Sequence, residues 1–111
     1  MNVMERIVNG VVVLDIQGRL DANTSGILEA SFLKMIEQGN TRFVFGLAQL
    51  EYVSSAGLRI LLVAAKKLKA LKGSLALAQM TDNVKEVFDI SGFSTIFTIY
   101  GTEAEALGAI G

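Results

Sequence analysis

Two adjacent hydroxyls, Ser54 and Ser55, stand just before Ala56-Gly57 and the apolar run Leu58-Arg59-Ile60-Leu61-Leu62. Serine ahead of a helical pattern is a capping signal, because its oxygen accepts from the unpaired N–H groups of the first turn. The same place suits a phosphoryl group, since a helix N-terminus offers free donors and a partial positive charge. From residue types alone the pair reads as a helix cap, at a mouth that would tolerate a phosphate. Catalysis is a poorer fit. The chain has no His and no Cys, which removes the commonest general base, thiol nucleophiles, disulfides and nearly all zinc sites. Asp15, Asp21, Glu51, Asp82 and Asp89 form no paired-carboxylate motif, and no P-loop is present. No catalytic, cofactor-binding or metal-binding residue is assigned, and an enzyme is not expected.

The elements that must position the serines can be read from periodicity. Val3 to Val8 and Val11 to Gln17 read as strands joined by the turn dipeptide Asn9-Gly10. Leu28, Phe32, Met35 and Ile36 recur at helical spacing from about Thr24 to Gln38, and Gly39-Asn40 supplies the stop. Phe43 to Leu47 is a β-rich run that predicts a central strand. A helix follows from about Ser55 to Leu71, with Leu58, Leu61, Leu62, Ala65 and Leu68 on one stripe. Ser74 to Met80 predicts a strand. A third helix begins near Thr81-Asp82 and turns Val84, Val87 and Phe88 inward. Gly92 is expected as its left-handed cap, with Phe93 folded back on Phe88. Thr95 to Tyr100 reads as the last strand, and Glu103 to Leu107 as a short terminal helix. The order β-β-α-β-α-β-α-β-(α) predicts a single α/β domain over residues 1–111, its mixed, mostly parallel sheet covered by helices.

Composition narrows the partners. Ten basic and eleven acidic residues give a formal charge of −1, without the basic excess that nucleic-acid binding usually shows. Hydrophobic residues make up 51% of the chain, yet no apolar run reaches the roughly 18 residues of a membrane span. The first residues lack the apolar stretch of a signal peptide, so a cytoplasmic protein without direct membrane insertion is expected.

The stretch Phe43-Val44-Phe45-Gly46-Leu47-Ala48-Gln49-Leu50-Glu51-Tyr52-Val53-Ser54-Ser55-Ala56-Gly57-Leu58 resembles the STAS domain and its anti-sigma-factor antagonists. Two further segments strengthen the likeness. Gly18-Arg19-Leu20-Asp21-Ala22 resembles the family's segment between second strand and first helix, and Val87-Phe88-Asp89-Ile90-Ser91-Gly92-Phe93 resembles its last helix. The resemblance spans about Val11 to Tyr100. It implies that Ser55 is the phosphorylated serine, ahead of Ser54. It also implies that the unmodified protein binds an anti-sigma factor of the histidine-kinase-like ATPase fold, freeing the sigma factor. That kinase then phosphorylates the serine, and a metal-dependent serine phosphatase resets it. Two positions depart from the pattern: Ser54 stands where the family usually has Asp, and Gly46 replaces an Asp at the end of the central strand. Both are also compatible with a constitutive STAS subunit of an ABC-type lipid transporter or a signalling scaffold.

The resemblance places Asp21 and Ala22 in the partner surface with Ser54, Ser55, Ala56 and Gly57, although Asp21 also suits a turn or cap. Small Ala56 and Gly57 would let a partner approach the hydroxyl. Ile60 and Val63 fall off the buried stripe and, beside Arg59, predict an apolar docking patch; core packing is the alternative. Lys66, Lys67, Lys69 and Lys72 read as a solvated helix end that suits the dipole.

Overall fold

The computed structural model describes residues 1–110. It consists of β1 (Asn2–Val8), β2 (Val11–Leu20), α1 (Ser25–Glu37), β3 (Arg42–Gly46), β4 (Leu50–Val53), α2 (Ser55–Ala70), β5 (Ser74–Ala78), α3 (Asp82–Ser91), a 3₁₀ turn (Phe93–Thr95), β6 (Thr98–Tyr100) and α4 (Glu103–Ile110). The sheet runs β1-β2-β3-β5-β6, with β4 added beside the far end of β2. Only β1 and β2 are antiparallel. Asn9 and Gly10 both take positive φ, 51° and 80°, the left-handed geometry that a tight hairpin needs.

Two strand readings are corrected. Between β3 and α2, where the sequence pattern predicts no strand, Leu50–Val53 pairs in parallel with β2, which extends to Leu20 to receive it after a bulge at Gly18/Arg19. The last strand starts at Thr98 instead of Thr95. The chain leaves Gly92 (φ 80°) in a 3₁₀ turn, and Phe97 is needed inside against Phe88, their ring centroids 5.8 Å apart. Gly92 is the expected left-handed cap, and Phe93 packs on Phe88 at 6.3 Å.

Alternation along the strands divides the core in two. Val12, Leu14, Ile16, Phe43, Phe45 and Leu77 face α1, α2 and α3, where Leu28, Phe32, Leu61, Leu68 and Phe88 complete the larger cluster. Val11, Val13, Val44, Ala76 and Ala78 face the other way and meet Ala106 of α4. Alanine at 76, 78 and 106 lets this short helix lie close to the strands. Arg6 ties it down, pairing with Asp15 of β2 at 2.8 Å and also with Glu103 of α4. Two carboxylates hold the guanidinium more firmly charged than usual, Glu103 contributing most.

Candidate functional site

The two serines do different things. Ser54 is the N-cap of α2: its backbone is extended and its Oγ accepts from the Gly57 N–H at 3.2 Å. Its own N–H donates to the Leu20 carbonyl at 2.9 Å, fastening the helix mouth to the end of β2. Ser54 is half-buried and its oxygen is committed. Ser55 opens the helix one residue later, is exposed, and takes no part in that cap. The pair is thus divided into a structural hydroxyl and an available one.

Gly57 belongs to the interior. It is buried, and a Cβ there would lie 2.5 Å from the Leu20 carbonyl oxygen and 2.9 Å from the Val53 Cγ2. Its missing side chain lets the first turn of α2 settle onto the paired ends of β2 and β4. The expectation that Gly57 opens a path to a partner is therefore corrected: the room is already filled by this chain. Ala56 is half-buried.

The Asp21–Ala22 loop lies at the same end of the sheet, one residue past the Leu20 that holds Ser54. The Asp21 Oδ1 accepts from the backbone N–H groups of Asn23 (3.0 Å) and Thr24 (3.2 Å), so the carboxylate shapes the turn into α1. The Thr24 hydroxyl donates to the Arg19 carbonyl at 2.8 Å and locks the same turn. Asp21 remains half-exposed beside exposed Ala22. Reading the sequence did not single out Arg19 and Tyr52, register partners on β2 and β4. The guanidinium lies over the Tyr52 ring at 4.2 Å, a cation–π contact flanking the helix mouth.

Along α2, Ser55, Arg59 and Val63 are exposed at intervals of four residues, and Ile60 is half-buried. Val63 retains 44% exposure and Leu33 of α1 37%. They border a shallow apolar groove between α1 and α2, walled by Leu28, Phe32 and Ile60 and edged by Glu29 and Lys67. Ile60 therefore contributes to both core and surface, while Val63 belongs to the surface. Lys66, Lys67, Lys69 and Lys72 are all exposed at the far end of the helix.

Gly46 stands apart from this group. Phe45 faces the α1–α2 side, so alternation turns position 46 to the α4 side. A Cβ there would meet the Asp15 Oδ1 at 2.5 Å. The carboxylate that Gly46 lacks is thus matched by one from the neighbouring strand, already engaged by Arg6. A cleft of about 300 Å³ adjoins it, lined by Met4, Gln17, Gln79 and Glu103 among others. The cleft contains none of the serine-site residues. No helix among the described residues is long and apolar enough to cross a membrane.

Residues 2–106 match the family model described as the STAS domain. A Bordetella bronchiseptica protein provisionally named anti-sigma factor antagonist BtrV is 36% identical over 102 residues, covering 92% of this chain and 88% of that one. The structure of the anti-sigma factor antagonist SpoIIAA in its unphosphorylated form superposes with a TM-score of 0.84 at 25% identity, covering 98% of this chain and 96% of the other. The phosphorylated form of the Bacillus SpoIIAA gives 0.77 at 24% identity, over 99% and 100% of the two chains.

Proposed function

The chain belongs to the STAS domain family, and on that premise we propose that it is an anti-sigma factor antagonist switched by phosphorylation of Ser55. Unmodified, it binds an anti-sigma factor of the histidine-kinase-like ATPase fold and releases the sigma factor. The kinase phosphorylates Ser55, the complex parts, and a metal-dependent serine phosphatase restores the hydroxyl. The protein acts by binding; the chemistry belongs to its partners.

One observation carries this reading: of two hydroxyls at one helix mouth, Ser54 is spent on the cap while Ser55 is exposed and unbound to it. A phosphate there adds about −1.5 to −2 charges without disturbing the cap. The first-turn N–H groups and the absence of acidic residues in that turn make the charge tolerable to the domain. A partner seated against Ser55, Ala56 and the Asp21–Ala22 loop would meet bulk and charge together. The switch is therefore one of surface, with the fold unchanged.

The two departures from the family pattern have local structural tasks: Ser54 caps α2, and Gly46 makes room for Asp15 on the opposite side of the sheet.

Incubation with ATP and the histidine-kinase-like ATPase recovered from the source cell tests the assignment. Mass spectrometry should find one phosphate on Ser55, lost in Ser55→Ala and retained in Ser54→Ala. Phosphate on Ser54, or no phosphate, would overturn it.

A further inference from the structure

We infer that Arg59 is the internal receptor for a phosphate on Ser55, which withdraws this arginine from the docking surface when the switch is set; the inference rests on the reading of Ser55 above. Residues four apart on a helix are surface neighbours, and a negative group N-terminal to a cation at this spacing is the favourable order. Ser55 and Arg59 are both exposed on α2. Arg59 enters none of the ion pairs among the described residues, which join Arg6 to Asp15 and Glu103, Lys34 to Glu5, and Lys85 to Asp89. No acidic residue occurs anywhere from Ser55 to Ala70, so nothing on the helix competes for the guanidinium.

Other cations are worse placed. Arg19 lies over Tyr52. The next base along α2 is Lys66, eleven residues from Ser55, or about 16 Å along the axis at 1.5 Å per residue. That exceeds the roughly 8 Å screening length of physiological salt. Arginine also suits the task chemically, because its planar fork matches phosphate oxygens in pairs.

Arg59 then has two states. Unmodified, it stands free beside Ile60 and Val63 and is available to a partner. With Ser55 phosphorylated, it folds back along its own helix. The modification adds negative charge to the surface and removes a positive one in the same step.

The test uses the full chain with phosphoserine installed at position 55 during synthesis, followed by phosphorus NMR across pH at low salt. A nearby guanidinium favours the dianion, so the phosphate's second ionisation should fall about 0.2–0.4 unit lower in the wild type than in Arg59→Gln. Arg59→Lys should keep part of the shift, and 0.5 M salt should shrink it. Amide spectra of each variant check the fold. Identical titrations in wild type and Arg59→Gln would overturn the inference, whether or not a kinase modifies Ser55. Conversely, failure of the kinase assay would remove the Ser55 reading and leave this measurement standing.

Discussion

Ser54 and Ser55 are separated by one peptide bond and by a complete difference in environment. Losing an N-cap oxygen costs about 1 kcal/mol, so Ser54→Ala should lower unfolding stability by that amount in urea titration. Ser55→Ala, at an exposed position outside the cap, should stay within about 0.5 kcal/mol of wild type. Gly57→Ala should cost more, about 1–3 kcal/mol, because the added methyl meets the Leu20 carbonyl and the Val53 side chain. The Ser-Ser-Ala-Gly motif was legible as a helix mouth from residue types alone. Which hydroxyl is spent and which is free was not, because that depends on how the Leu20 carbonyl orients Ser54. The burial of Gly57 was hidden for the same reason: it follows from an extension of β2 that periodicity did not reveal.

At the scale of elements, the helices and the strands with a clear apolar run were readable, while β4 and the start of β6 were not. α2 follows its stripe at Leu58, Leu61 and Leu68, but Leu62 and Ala65 are only half-buried and Gly57 and Ala64 take the buried places. β4 escaped because Leu50-Glu51-Tyr52-Val53 is buried only at its ends, a pattern without the alternation that marks a strand. The β-rich run from Thr95 was misleading because Ile96 stays 54% exposed while Phe97 turns inward. Two surface ties between elements give measurable consequences. Glu5 on β1 reaches Lys34 of α1 at 2.7 Å, and the hydrogen bonds from Lys34 and Ser31 hold its carboxyl below the ordinary 4.5. A depressed carboxylate stabilises the fold above its unfolded-state value. That contribution is lost as pH falls below about 4.5 and through the native-state value. Glu5→Gln should therefore unfold with a shallower acid dependence than wild type in that window, seen by circular dichroism. On the other face, Glu103→Ala removes the Arg6 tie to α4. Faster amide exchange confined to α4 should result, with the β2 and β3 amides unchanged.

The whole molecule is a sheet with unequal coverings. One face is deeply packed beneath α1, α2 and α3, and the other is closed by a short helix over small residues. The serine site belongs to the well-packed side, at the end where β2 leads into α1 and β4 leads into α2. A rigid seat of that kind suits a switch that changes its surface chemistry at Ser55 and keeps its shape. The direct measurement is calorimetric titration of the histidine-kinase-like ATPase, recovered from the source cell with the wild-type protein as bait, into wild type and Ser55→Glu. Binding to the wild type is expected, with an affinity at least about 30-fold weaker for the variant, since a charge buried at an interface without a partner costs about 2 kcal/mol or more. Thermal melts of the two proteins should agree. Equal affinity for both, with folds intact, would contradict a phosphorylation switch at Ser55.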